Sequence, residues 1–168
     1  MNKQQLTPSP EAFRIIKMWE SFQSRAYKPV PTEKYYTIGY GHCAPYVKRN
    51  DFITPQCADK LLEADVAQYS RKLSAFAPNI EQHQYDALIS LIYNIGWYNF
   101  RYSMTGQYVK DLYTRCNPID VARRMVLWVK SGDKTLLGLQ RRRCFEANYF
   151  LGYECFVLEN GCIFEHSV

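Results

Sequence analysis

The chain lacks any stretch near the roughly 20 apolar residues that span a bilayer, so no stable membrane insertion is expected. Met1 to Pro10 is polar and has none of the apolar core of a signal peptide, which implies a cytoplasmic start. The six cysteines (Cys43, Cys57, Cys116, Cys144, Cys155, Cys162) form no CxxC pair and have no histidine at zinc-ligand spacing. A structural metal is therefore not expected, and free thiols fit a reducing compartment. No run of Lys or Arg is long enough to read as a nucleic-acid tail, since Arg141, Arg142 and Arg143 lie inside a helical pattern.

What is present suits one domain, or two small lobes sharing a helix: 168 residues, 47% of them hydrophobic. Aromatics reach 15%, with 14 tyrosines. A buried phenol needs a hydrogen-bond partner, so much of this tyrosine should rim the core or line a groove. Twenty-one basic against 16 acidic residues leave a net charge of +5, which suits an anionic polymer.

Local signals divide the chain. Ser9-Pro10 is a cap followed by proline, a helix start. Phe13, Ile16 and Glu20 then share one face, beside Ala12, Ile15 and Trp19, so Glu20 ends an apolar stripe. Pro29 and Pro31 make Lys28 to Lys34 a loop, and Tyr35 to Tyr40 reads as a short strand. Thr54-Pro55 opens a helix to about Phe76, long enough to connect two lobes. Gln82 to Ile95 is a strongly apolar helix stopped by Gly96. Further helices are expected over Gly106 to Tyr113, from Pro118 to about Lys130, and over Leu137 to Leu151. In the tail, Asn160-Gly161 between apolar runs predicts a hairpin with Glu159 opposite Cys162.

Glu20 is the first candidate for chemistry. A carboxyl among apolar neighbours has its pKa raised and can donate a proton, as a glycosidase requires. The competing reading is a helix-end glutamate paired with Arg25 or with one of Arg141 to Arg143.

Three blocks then line up in register. The first is Glu20-Ser21-Phe22, Ala26-Tyr27, a loop, and Thr37-Ile38-Gly39-Tyr40-Gly41-His42. The second is Gln84-Tyr85-Asp86-Ala87-Leu88 with Tyr93-Asn94-Ile95-Gly96. The third is Trp128, then Gly138-Leu139-Gln140-Arg141-Arg142-Arg143 and Glu146. Together they resemble the phage-type lysozymes (endolysins) over roughly residues 10 to 152.

The resemblance implies an α+β, predominantly α fold of the lysozyme type. Residues 1–53 would form an N-terminal helix and small β lobe, 54–76 a connecting helix, 77–152 a larger helical lobe and 153–168 a tail. It implies hydrolysis of the β-1,4 bond between N-acetylmuramic acid and N-acetylglucosamine in the peptidoglycan glycan strand, by a monomer released from the cytoplasm to the wall. No metal or organic cofactor is needed. Glu20 would be the general acid and Thr37 would hold the attacking water. Tyr40, Asn94 and Arg142 fall at substrate-binding or lobe-bracing positions. His42 is expected to tie the strand to a neighbouring acid, with an auxiliary catalytic role as the alternative, and Trp128 is expected in the core.

One departure is plain. The family's aspartate falls at Pro29 counted from Glu20, or at Pro31 counted back from Thr37, and neither can act as a base. Glu33 is the one carboxylate in that loop and could substitute. A lone glutamate also suits a lytic transglycosylase, and loss of both functions would leave an inactive cell-wall binding module. A nucleic-acid partner rests on net charge alone and is not expected.

Overall fold

The computed structural model describes residues 5–166; the outermost residues of the two terminal segments, 1–4 and 167–168, lie outside them. Ser9 caps α1 (Pro10–Glu20), its hydroxyl oxygen accepting from the Glu11 amide at 3.2 Å. The same hydroxyl donates to Asp86 Oδ2 at 2.6 Å, and the Ser9 amide donates to Oδ1 at 3.1 Å. This buried carboxylate fixes the start of α1 against the central helix.

Three antiparallel strands follow in the order β1 (Gln23–Tyr27), β2 (Tyr36–Gly39) and β3 (His42–Ala44). The register sets Tyr27 opposite Thr37 and Thr37 opposite Cys43. A small core of Ile38, Ala44 and Val47 backs the sheet, with Ile53 and Leu61 packed on it. Thr54 caps α2 (Pro55–Phe76), accepting from the Cys57 amide at 3.3 Å.

The remaining helices are α3 (Gln82–Ile95), α4 (Trp97–Arg101), α5 (Met104–Lys110), α6 (Pro118–Met125) and α7 (Leu137–Leu151). Helix α3 is buried continuously from Gln84 to Ile92 and packs against α1, α2 and α7. It is the axis of the main core, which also takes in Phe100, Val121, Met125 and Phe150. The fold is thus α+β and predominantly α, as the sequence implied.

Three expectations need correction. Helix α5 runs from Met104 to Lys110 rather than from Gly106 to Tyr113, because Ser103 caps it by accepting from the Gly106 amide. Helix α6 stops at Met125, its last inward apolar residue; Leu127 is already exposed. Lys130, expected at its end, instead opens a tiny hairpin, β4 (Lys130–Ser131) with β5 (Lys134–Thr135). Helix α4 was not foreseen, because Gly96 both ends α3 and precedes the next helix.

The tail forms the expected hairpin, β6 (Phe156–Glu159) and β7 (Cys162–Glu165), with Glu159 opposite Cys162. Asn160 and Gly161 both have positive φ, as a tight hairpin turn of this kind demands. Cys155 and Phe156 are buried in the main core, and the six cysteines are unpaired.

Candidate active site

Glu20 sits at the last position of α1, where the chain leaves the helix for the sheet. Its side chain is 19% exposed, and its Oε1 accepts from Arg142 Nη1 at 2.5 Å. The carboxyl is therefore not in the purely apolar setting expected, and the arginine reading is the one the structure carries. Its Oε2 makes no hydrogen bond to any described residue and lies beside Gly41. Gly41 has φ +90°, and a Cβ built there would stand 3.3 Å from Oε2 and 3.7 Å from the Tyr93 ring. Glycine thus lets the β2–β3 turn approach the carboxyl closely.

Arg142 is 5% exposed and belongs to a buried network. Its Nε donates to Glu146 Oε1 at 2.9 Å, and its Nη2 donates to the Ser90 carbonyl at 3.1 Å. Glu146 is fully buried and also accepts from Ser90 Oγ at 2.6 Å and from Arg143. Burial pulls the Arg142 guanidinium down, but the charges of Glu146 and then Glu20 outweigh it and leave it above its ordinary value. For Arg143 burial wins over Glu146, and its guanidinium lies below its ordinary value.

A cleft of about 830 Å³ opens in front of Glu20. Thr37, Glu33 and Asn94 line it, as does Pro29 from the loop after β1. Thr37 is 5% exposed, and its hydroxyl bonds to no described residue. Glu33 is half-buried and makes no ion pair among the described residues. Tyr27 lies in the same cleft; burial raises its phenol above the ordinary range, and the charges of Glu20 and Glu33 raise it further. One phenol therefore feels both carboxylates.

Two of the expected binding positions lie off the cleft lining. Arg142 is almost fully enclosed, with its donors on Glu146, Glu20 and Ser90, the arrangement of the lobe-bracing alternative. Tyr40 lies outside the cleft lining: its ring packs on Phe22 at 5.6 Å, with Lys17 5.3 Å above it. His42 does tie strand to acid, Nδ1 to Asp65 Oδ2 at 2.7 Å, and its Nε2 meets the Tyr46 hydroxyl at 2.6 Å. It does not line the main cleft.

Asn94 is exposed in the cleft and accepts from Arg143. Trp128 does double service, packing on the core and lining the cleft while its Nε1 donates to Thr105 at 2.9 Å. Cys43, Asn99 and Lys130 also line the cleft, and sequence reasoning missed them. Cys43 stands directly opposite Thr37 across the sheet, and residues paired in this way share a face.

A helix-end glutamate facing a small sheet across a cleft, with a helical lobe behind it, defines the lysozyme class of architecture. The chain belongs to the phage lysozyme family, whose model matches residues 17–146. It is 38% identical over 143 residues to an endolysin of Bacillus phage PZA, covering 84% of this chain and 54% of that protein. The chain thus spans about half the length of that relative. An endolysin of Acyrthosiphon pisum secondary endosymbiont phage 1 is 31% identical over 150 residues, covering 84% of this chain and 96% of that protein. Among solved structures, the muramidase domain of SpmX from Asticaccaulis excentricus matches with a TM-score of 0.76 at 27% identity, covering 86% of this chain and 97% of that one.

Proposed function

We propose that this chain hydrolyses the β-1,4 bond between N-acetylmuramic acid and N-acetylglucosamine in peptidoglycan, with Glu20 as the general acid. The observation that carries this reading is the meeting of Glu20, Thr37 and Glu33 in one cleft. Arg142 occupies Oε1 and fixes the carboxyl, which leaves the unbonded Oε2 as the oxygen that serves the leaving group. The free hydroxyl of Thr37 holds a water on the sheet side. Glu33, the other carboxylate lining the cleft, accepts a proton from that water. An acid and a base with a water between them give inversion at the anomeric carbon. The endolysin relatives and the muramidase domain support the substrate class.

A second reading has its own observation. Pro29 lines the cleft at one of the two positions where the resemblance expects a carboxylate, and its side chain offers no base. A lytic transglycosylase needs none, because the substrate's own hydroxyl closes on the anomeric carbon.

The test is digestion of purified peptidoglycan by wild type and Glu20→Gln, with fragments read by mass spectrometry. Reducing-end fragments from wild type, falling by about 10²–10⁴ in rate for the variant, are expected for a general acid. Anhydro ends would move the assignment to transglycosylase. Equal silence of both proteins on walls of several chemistries would leave a binding module.

A further inference from the structure

Away from the cleft, the C-terminal half of α2 and helix α4 enclose a groove of about 510 Å³. Arg71, Lys72 and Arg101 line it beside Gln68, Phe76 and Trp97, and no acidic residue does. None of the three cations makes an ion pair or hydrogen bond with a described residue; Arg101 only overlies the Tyr102 ring at 5.6 Å. Arg71 and Lys72 lie before the last turn of α2, which carries no basic residue, so compensation of the helix dipole does not account for them. Trp97 packs edge-on to Phe76 at 5.6 Å and tilted to Phe100 at 5.8 Å. Next to the groove Tyr98 and Tyr102 are 73% and 68% exposed, their rings 4.7 Å apart.

We propose that this groove is a second binding site that takes an anionic polymer of phosphodiester-linked polyol or sugar units. Three uncompensated cations around one concavity repel each other until an anion enters. Arginine forks match phosphate oxygens in pairs. Aromatic edges offer an apolar wall to the polyol or sugar between successive phosphates. A membrane surface fits less well, because the cations line a concavity rather than a flat face. A nucleic-acid duplex fits less well too, because a stiff double helix cannot follow the concavity as a flexible single chain can. The wall-hydrolase reading explains why such a polymer would be met, but the binding itself does not depend on it. The site would hold the enzyme on walls that carry these polymers and leave the catalytic cleft free.

The test uses titration calorimetry with purified poly(glycerol phosphate) at physiological salt. The proteins are wild type, Glu20→Gln and the triple variant Arg71→Ser, Lys72→Ser, Arg101→Ser. These side chains are exposed and unpaired, so the triple variant should keep its circular dichroism spectrum and its activity on bare glycan. Wild type and Glu20→Gln should bind alike, and the triple variant at least tenfold more weakly. Equal binding by the triple variant overturns the site. So does a groove-dependent affinity for duplex DNA or phosphatidylglycerol vesicles as high as for the polymer. Because Glu20→Gln is inactive under the hydrolase reading yet should still bind, failure of either idea is separable from the other.

Discussion

Ser21 has φ 56° and ψ 151°, a region that is essentially glycine-only, and it directly follows the candidate acid. Strain of about 1–3 kcal/mol, less about 0.5–1 for the extra freedom of unfolded glycine, leaves a net gain of about 1 kcal/mol for Ser21→Gly. That should raise the melting temperature by about 2–4 °C for a chain of this size, without moving Glu20. Tyr27 makes a second test. With its phenol raised by burial and by Glu20 and Glu33, the folded state keeps its proton to higher pH than the unfolded chain. Its contribution to stability is therefore complete below the unfolded tyrosine value and is lost as pH rises through the folded one. The ultraviolet difference titration of wild type against Tyr27→Phe should give a midpoint above that of ordinary tyrosine. Glu33→Gln should bring it down, and an unchanged midpoint would break the electrostatic link between the two residues. That Glu20 and Thr37 share a cleft was readable because they lie within one short stretch of chain. The commitment of Arg142 to Glu20 was not, because 122 residues separate them and only packing decides which of three adjacent arginines reaches the carboxyl.

At the scale of elements, the sequence was readable wherever the signal is local. The Ser9-Pro10 and Thr54-Pro55 starts, the Gly96 and Gly152 stops and the Asn160-Gly161 turn all act within a few residues. The end of α6 and the existence of α4 depend instead on which apolar residues find a partner, and that is settled by the core. The hairpin β6–β7 is held to that core by buried Phe156, by Gln140 and Arg123, and by an asparagine that satisfies its backbone. Asn148 on α7 accepts from the Cys155 and Phe156 amides at 3.0 and 2.8 Å and donates to the Phe156 carbonyl at 2.9 Å. Asn148→Ala strands three backbone groups beside buried Phe156 and should cost about 2–4 kcal/mol in urea unfolding. Amide exchange at Cys155 and Phe156 should accelerate before that of α3; loss of protection in both at once would mean that the hairpin is not a separate unit.

At the scale of the molecule, one buried charge cluster joins helices that are far apart in sequence. Glu20 comes from α1, Ser90 from α3, and Arg142, Arg143 and Glu146 from α7. Two cations and two carboxylates balance, but their exposures differ: Glu146 is fully enclosed, whereas Glu20 opens onto the cleft. The same network therefore does two jobs with different sensitivities. Removing the Glu146 charge leaves two guanidiniums in the core with one partner between them, a change that typically costs 3–5 kcal/mol. Removing the Glu20 charge leaves Arg142 with Glu146, and solvent at the cleft can relax around what is lost. Glu146→Gln should accordingly lower the melting temperature by on the order of 10 °C. Assayed on peptidoglycan well below that temperature, its folded fraction should lose activity through a displaced Arg142 and a mobile Glu20 carboxyl. Glu20→Gln should show the reverse balance, with a small change in melting and the larger loss in rate. If Glu146→Gln melted like wild type, the buried network would not be what holds α1 against α7, and the fixed orientation of Glu20 would need another source.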